Sequence, residues 1–217
     1  MPDKISWKWK VAQTLEYKWW QHYLKDRDTG HYLEWKRQYW EALLKSLSEF
    51  IELPKGKSLL DAGCGPAGIF IALEGNEVDA LDPLLHKYKT LQHFQPEKYP
   101  YTHFINAPIE ALQEEEKYDI IFCMNAINHV NDIELCYDRL ERSLKHGGFL
   151  VISTDAHRSA FLKKIFQLLP GDMLHPVQFG IQEYDELLRK RNFQILKNLL
   201  YKREKIFDYY ITVSQKP

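Results

Sequence analysis

The spacing of apolar residues predicts two helices in the first quarter of the chain of 217 residues. Over residues 5–25, apolar side chains recur at intervals of four, which predicts one buried helix face. These side chains are Trp7, Val11, Leu15, Trp19 and Tyr23. The "RDTG" stretch is expected to end this helix, with Gly30 in the position just past its last turn. A second helical pattern follows, and "LPKGK" at residues 53–57 is the predicted boundary.

From residue 58 onward, short apolar runs alternate with helix-length segments. The predicted strands are Ser58–Ala62, Val78–Leu81, Thr102–Asn106, Tyr118–Cys123 and Phe149–Thr154. Buried runs of this length that alternate with helices predict a parallel sheet covered on both faces. Ligands of such sheets bind beyond the carboxyl ends of the strands. Residues that follow these strands are therefore candidates for a functional site.

The end of the chain predicts a reversed strand. Two β-rich runs, at residues 192–200 and 207–214, are joined by a short charged connection. A link this short suits an antiparallel pair, because a parallel pair needs a long crossover. The prediction is an α/β fold with a doubly wound, mostly parallel seven-stranded sheet whose last strand is antiparallel. Residues 1–52 are expected to form a helical cap, and residues 57–217 the ligand-binding domain.

Composition narrows the class of protein. The chain is 45% hydrophobic and 27% charged, with a net charge of −1, which argues against a nucleic-acid or anionic-membrane partner. Its three cysteines lack paired spacing, so we expect no disulfide framework and a reducing compartment. The charged N-terminus does not resemble a signal peptide, and no apolar run approaches the ~18 residues of a membrane span. We therefore expect a cytoplasmic protein.

The stretch "LLDAGCGPAGIF" at residues 59–70 carries the candidate chemistry. Gly63, Gly65 and Gly68 reproduce the spacing of the dinucleotide fingerprint, in a turn between a predicted strand and a predicted helix. Asp82 lies 19 residues after Gly63, at the end of the next predicted strand. A carboxylate there can accept hydrogen bonds from ribose hydroxyls, and it can also cap a helix that starts at Pro83. The pattern predicts a ligand that contains a nucleoside.

Asp61 distinguishes between nucleoside ligands, because it lies two residues before Gly63. A pyrophosphate carries negative charge and would be repelled by a carboxylate beside it. An aminoacyl group with an ammonium would instead be stabilised. The turn therefore favours S-adenosylmethionine over a nicotinamide dinucleotide.

Five segments together resemble the class I S-adenosylmethionine-dependent methyltransferases. They are "LLDAGCGPAG", "VDALDP", "FINAPIEAL", "YDIIFCMNAINHVND" and "LKHGGFLVIST", in the family's order, within residues 57–217. The resemblance implies a Rossmann-like fold and S-adenosyl-L-methionine as cofactor. It places the cofactor on Asp61, Gly63, Cys64, Gly65, Asp82, Pro83, Ile109 and Asn125. The chain departs from the family at "NAP", because Pro108 has no N–H, so any backbone bond to adenine must come from a neighbour such as Ile109.

Methyl transfer is an in-line displacement for which the protein supplies mainly orientation and a dry site. Asn128 and His129 follow the fourth predicted strand and are expected near the acceptor. His129 is a candidate base or a histidine bonded to backbone at a helix start. His175 is a candidate acceptor-pocket residue or a surface histidine. Both pairs of alternatives stay open.

The N-terminal aromatic residues are expected either to close the site or to pack in the core. All six tryptophans lie within the first 40 residues, and Trp20 and Tyr39 are the candidates for contact with an acceptor. No metal is predicted, because Asp155 and His157 offer only two ligands.

The sequence predicts a methyltransferase that uses S-adenosylmethionine and acts on a small molecule. Its alternatives are an NAD(P)-dependent oxidoreductase, which the literal glycine spacing allows, and a non-catalytic module that binds S-adenosylmethionine. No motif identifies the methyl acceptor, the methylated atom or the oligomeric state.

Overall fold

The computed structural model describes residues 6–53, 55–157, 179–203 and 207–217. The helices in these ranges are α1 (Trp7–Leu24), α2 (Thr29–Leu47), α3 (Leu85–Tyr88), α4 (Ile133–Ser143) and α5 (Ile181–Arg189). The strands are β1 (Ser58–Ala62), β2 (Glu77–Leu81), β3 (Thr102–Ile105), β4 (Tyr118–Cys123), β5 (Leu144–His157), β6 (Gln194–Arg203) and β7 (Phe207–Gln215).

The seven strands form one sheet in the order β3-β2-β1-β4-β5-β7-β6. β1 pairs in parallel with β2 and β4, and β4 pairs in parallel with β5. β7 runs antiparallel to both of its neighbours, β5 and β6. The predicted fold class, with its reversed last strand, is therefore confirmed. The strand order reverses between β1 and β4, which is the point where sheets of this kind form a ligand crevice.

The strand predictions are confirmed, and the largest difference is in the length of β5. The apolar run predicted residues 149–154, whereas the strand extends over Leu144–His157. Its register against β4 shifts between Tyr118 and Ile120, and Gly147 nearby has a φ of 73°. An apolar run marks only the buried middle of a strand, so the irregular start of β5, where His146 and Gly147 are exposed, carries no such signal.

The face that α1 turns toward the protein is not the predicted one. Trp7 is 67% exposed and Trp19 is 48% exposed, although the spacing of four placed both on the buried face. Trp9, Gln13, Glu16 and Trp20 line a cavity below the helix instead. The prediction was wrong because it assumed a closed apolar core beneath α1, whereas a cavity lined by both apolar and polar side chains lies there.

Gly30 does not follow the end of α1, as the sequence predicted. α1 ends at Leu24, and Gly30 is the second residue of α2. The Asp28 side chain accepts a hydrogen bond from the His31 N–H at 2.8 Å and so caps α2. The "RDTG" stretch therefore starts the second helix, in agreement with the preference for Asp at the N-cap.

A single 3-10 turn stands where the sequence predicted a helix after the glycine turn. It spans Ile69–Ala72, and β2 begins five residues later. α2 packs against this turn, and the buried Trp40 indole donates to the Ala67 carbonyl oxygen at 3.1 Å. The second N-terminal helix thus occupies the face of the sheet that a longer helix after β1 would cover.

Hydrophobic clusters lie on both faces of the sheet. One cluster joins α2 and the 3-10 turn to residues of β1, β2, β4 and β7. The other joins α4 and α5 to the opposite side chains of β1, β2 and β4 and to residues of β5. The alternation of side chains along each strand explains this division. Within the described ranges, no helix is both long enough and apolar enough to cross a membrane.

Candidate functional site

A cavity lies at the carboxyl ends of β1, β2 and β4, and α1 covers it. Its volume is about 120 Å³. The sheet edge contributes the glycine turn, Asp61 and Asp82, and the helices contribute Glu16 and Lys36. The position agrees with the rule that α/β sheets bind ligands beyond their strand ends, at the switch in strand order.

The first glycines form a turn that is tied to β2. The N–H groups of Gly63 and Cys64 donate to the Leu81 carbonyl oxygen at 2.7 and 3.0 Å. Gly63 has a φ of 78°, and a Cβ added to it would lie 2.1 Å from the Ala126 Cβ. Glycine is therefore required here both by backbone conformation and by space. Gly65, with a φ of 57°, faces the Trp20 ring.

Asp61 is buried behind this turn and holds it together. One carboxylate oxygen accepts a hydrogen bond from the Phe70 N–H at 3.0 Å. A Cβ on Gly68 would lie 2.3 Å from that oxygen. Burial and the charge of Asp82 raise the pKa of Asp61 to about 7, although the hydrogen bond from the Phe70 N–H and the charge of Lys36 act to lower it. A cation in the cavity would therefore shift the Asp61 carboxyl group toward its ionised form.

Asp82 orients the other side of the turn. Its oxygens accept hydrogen bonds from the Gly65 N–H at 3.0 Å and from the Leu84 N–H at 2.8 Å. Each oxygen keeps capacity for a further donor. Burial raises the pKa of Asp82. The contact with Leu84 caps the turn after Pro83, and α3 itself begins only at Leu85.

Two charged residues of the cavity escaped the sequence analysis. Lys36 of α2 has its Nζ 4.3 Å from the centroid of the Trp40 ring, and burial lowers its pKa to about 8 while Asp61 raises it. Glu16 of α1 has a raised pKa, first because it is buried and second because Asp82 is near. Lysine and glutamate on a helix usually indicate a solvated face. Only the spacing of Trp9, Glu16 and Trp20 could have placed Glu16 inward.

Asn125 follows β4 and is held in a left-handed conformation, with a φ of 55°. Its N–H donates to the Ser153 Oγ of β5 at 2.7 Å. Asn tolerates this conformation better than most residues, so its side chain is presented to the cavity from a fixed backbone. Pro83 and Ile109 line the cavity as well, as the sequence predicted.

Of the remaining predicted site residues, one lines the cavity and two lie outside it. His129 lines the cavity, and its carbonyl oxygen accepts a hydrogen bond from the Trp9 indole at 3.1 Å. Asn128 is buried away from the cavity, where it accepts a hydrogen bond from the Tyr184 hydroxyl at 2.8 Å. Tyr39 contacts Tyr201 of β6 rather than the cavity, with ring centroids 6.2 Å apart. His175 lies outside the described residues.

Metal ligands do not cluster in the part of the chain that the structure describes. No group of three or more histidine, cysteine or acidic side chains in these ranges could hold an ion. Cys64, Cys123 and Cys136 are free and buried.

Comparison with known proteins shows the family of the chain. A family model described as a methyltransferase domain matches residues 32–198. A curated relative from Rickettsia felis, named ubiquinone biosynthesis O-methyltransferase, is 31% identical over 98 residues, which cover 44% of this chain and 40% of the relative. The match thus spans about two fifths of the length of that relative.

Solved structures of methyltransferases share the fold. The 1,6-didemethyltoxoflavin-N1-methyltransferase of Burkholderia thailandensis, solved with S-adenosylhomocysteine, aligns with all of this chain and 90% of its own, at 17% identity and a TM-score of 0.65. A phosphoethanolamine N-methyltransferase from Haemonchus contortus, solved with S-adenosyl-L-methionine, aligns with 82% of this chain and 53% of its own, at 17% identity and a TM-score of 0.61.

The family match covers the glycine turn, both acids beside it and most of the sheet. It agrees with the choice of S-adenosylmethionine that the position of Asp61 favours. The chain belongs to the class I S-adenosylmethionine-dependent methyltransferases.

Proposed function

We propose that this enzyme transfers the methyl group of S-adenosylmethionine to a small organic molecule. The observation that carries the proposal is the cavity itself, which combines a glycine turn with acidic side chains that include Asp61, Asp82 and Glu16, and with the ammonium of Lys36. Such a set of charges matches a nucleoside joined to a zwitterionic amino acid. It does not match a pyrophosphate.

The amino-acid part of the cofactor would lie between Asp61 and Lys36. The ammonium of the cofactor would lie near the Asp61 carboxylate and would favour its ionised form. The ammonium of Lys36 would lie near the cofactor's carboxylate. The N–H groups of Gly63 and Cys64 are already bonded to Leu81, so the turn contributes close approach rather than these donors.

The nucleoside would lie on the side of Asp82. Its two oxygens, each with one N–H donor in place, would accept hydrogen bonds from ribose hydroxyls. Ile109 and Pro83 would pack on the apolar parts of the nucleoside, and Asn125 would orient the cofactor from the end of β4.

In the reaction, the acceptor atom attacks the methyl carbon in line with the carbon–sulfur bond. A bond forms between acceptor and carbon as the carbon–sulfur pair returns to sulfur, which loses its positive charge. When the acceptor is a hydroxyl, its proton passes to a base, and His129 is the candidate base in the cavity. The protein otherwise contributes placement and exclusion of water by α1.

The acceptor class is inferred from charge. The net charge of −1 does not favour a polyanionic substrate. The related proteins include both an O-methyltransferase and an N-methyltransferase, so the proposal specifies no methylated atom. Three free, buried cysteines support the proposed cytoplasmic location. Contacts of Tyr39, Asn128 and His175 with an acceptor remain predictions.

Calorimetric titration with S-adenosylhomocysteine, beside NAD and NADP, tests the cofactor site. We expect saturable binding of S-adenosylhomocysteine alone. Binding of a nicotinamide nucleotide instead would overturn the site. Release of S-adenosylhomocysteine from S-adenosylmethionine in the presence of small phenols and amines then tests turnover. Binding without turnover across a broad set of acceptors would favour the non-catalytic module.

Asp82→Ala tests the nucleoside end of the site. We expect the variant to bind S-adenosylhomocysteine about 1–3 kcal/mol more weakly, because hydrogen bonds to a charged group are lost. Asp82→Asn keeps an oxygen acceptor for one of the two N–H groups, Gly65 or Leu84, and so should disturb the turn less than alanine does. Unchanged affinity in both variants would remove Asp82 from the ribose.

A further inference from the structure

The inner face of α1 presents two polar side chains to the cavity. Gln13 is 7% exposed, and its Nε2 donates to a carboxylate oxygen of Glu16 at 3.3 Å. This contact fixes the orientation of the Gln13 amide. Its Oε1 is buried and has no hydrogen-bond partner among the residues that the structure describes. A buried acceptor without a donor is costly, which indicates that a ligand supplies the donor.

Glu16 and Asp82 line the same cavity. Burial raises the pKa of Glu16 and the charge of Asp82 raises it as well, while the Trp20, Gln13 and Tyr88 side chains lower it. Two carboxylates thus converge on one region, Asp82 from the end of β2 and Glu16 from α1. Such a pair repels itself unless donors lie between its members.

The ligand class follows from this excess of acceptors. Three acceptor groups meet here, namely the carboxylates of Asp82 and Glu16 and the Gln13 carbonyl oxygen. A nucleoside brings matching donors, which are the two ribose hydroxyls and the amino group of the base. Neighbouring hydroxyls on one sugar can each reach a different carboxylate when the two carboxylates lie on opposite sides of the ring.

We propose that α1 completes the nucleoside site, with Glu16 accepting a hydrogen bond from one ribose hydroxyl while Asp82 accepts from the other. Gln13 holds the Glu16 carboxylate through its Nε2 and offers its Oε1 to the nucleoside. This inference rests on the proposed role of Asp82 and adds to it a second acid from a different element. In consequence, the cofactor joins α1 to the edge of the sheet.

The test is a comparison of S-adenosylhomocysteine with its 2′-deoxy and 3′-deoxy analogues, by calorimetric titration of wild type, Glu16→Ala and Asp82→Asn. We expect Glu16→Ala to bind S-adenosylhomocysteine about tenfold or more weakly. One of the two analogues lacks the hydroxyl that Glu16 binds, and Glu16→Ala should bind that analogue as tightly as it binds S-adenosylhomocysteine. Removal of the other hydroxyl should still weaken binding to Glu16→Ala. For Asp82→Asn, the roles of the two analogues should be exchanged.

Controls separate a ribose contact from a general effect on α1. Glu41→Ala removes the same group from an exposed position on α2 and should bind all three ligands like wild type. Glu16→Gln keeps the shape and one oxygen acceptor, so it should lose less than Glu16→Ala and carries the comparison if the alanine variant does not fold.

Two results would overturn the inference. One is wild-type affinity of both Glu16 variants for S-adenosylhomocysteine. The other is an equal further loss of affinity with both deoxy analogues, which indicates that Glu16 only holds α1 in place. Failure of the wild-type protein to bind S-adenosylhomocysteine is a separate outcome, and it would overturn the proposed cofactor site itself.

Discussion

Gly63 and Gly147 have nearly the same backbone conformation in different surroundings. Their φ values are 78° and 73°, yet a Cβ on Gly63 would collide with the Ala126 side chain, whereas nothing lies within 4 Å of one on Gly147. Gly147→Ala should therefore cost only the strain of a left-handed alanine, about 1–2 kcal/mol. The pair separates backbone strain from crowding at the turn.

We expect Gly63→Ala to lower the free energy of unfolding by about 1–3 kcal/mol more than Gly147→Ala does, because the site is already filled. Denaturant unfolding of both variants measures the difference. Gly63→Ala should also weaken cofactor binding, since Ala126 lines the same cavity. Equal stability of the two variants would show that the turn yields to the added methyl group.

Asp61 should make cofactor binding depend on pH. Its pKa is about 7 in the folded protein, against 3.8 for an ordinary aspartate, because it is buried. Between these values the unfolded chain has lost the proton and the folded protein retains it. The contribution of this group to stability therefore falls as pH rises through that window.

A cationic cofactor beside Asp61 favours its charged form, so binding releases a proton below pH 7. We expect affinity for S-adenosylhomocysteine to rise with pH up to about 7, by up to about tenfold per pH unit, and then to level. Asp61→Asn keeps an oxygen for the Phe70 N–H and should reduce this slope. An unchanged slope in the variant would assign the proton to Glu16 or Asp82.

The sequence predicted the place of a site residue only where the residue comes directly after a predicted strand. The glycine turn, Asp61 and Asp82 follow predicted strands, and strand ends meet at one edge of a parallel sheet. Lys36 and Glu16 reach the cavity from helices whose orientation is a tertiary property. Asn128 is withdrawn by Tyr184, a partner 56 residues away that no local pattern indicates.

Among the elements, α2 covers the face of the sheet beside the glycine turn, and the buried Trp40 contacts that turn. The indole N–H donates to the Ala67 carbonyl oxygen, and both residues line the cavity. Trp40→Phe should lower the free energy of unfolding by about 1–3 kcal/mol, because that carbonyl oxygen loses its buried donor. Thermal or denaturant unfolding measures this.

Trp35→Phe is the matched control on the same helix. Trp35 is 49% exposed, so the same substitution there should change stability by no more than about 0.5 kcal/mol. Equal effects at the two positions would contradict the assignment of α2 as a covering helix.

The elements also show where sequence patterns reach their limit. The first five strands and the reversed seventh strand were predictable, because a strand's apolar run and a short connection are local properties. The inner face of α1 was not predictable, because the cavity beneath it is lined by both aromatic and polar side chains of the helix. The 3-10 turn after Gly68 was not either, because α2 takes the space of the expected helix.

On the scale of the whole molecule, the cofactor cavity lies between a well-buried and a poorly buried part of the protein. On one side are the carboxyl ends of strands that are buried on both faces. On the other side is α1, the roof of the cavity, in which only Ala12, Gln13 and Leu24 are buried. Opening the cavity therefore requires movement of the roof rather than of the sheet. Segments with few buried contacts are the ones that open at low free-energy cost.

The restriction of tryptophan to the first 40 residues gives the protein a built-in optical probe. Trp9, Trp20 and Trp40 line the cavity, while the sheet contains no tryptophan at all. Intrinsic fluorescence should therefore change on addition of S-adenosylhomocysteine and saturate with the calorimetric affinity. Trp20→Phe should diminish the signal, and Trp7→Phe, at an exposed position, should preserve it. The emission comes from α1 and α2 alone, so its time course after rapid mixing would follow the rearrangement of these two helices around the ligand.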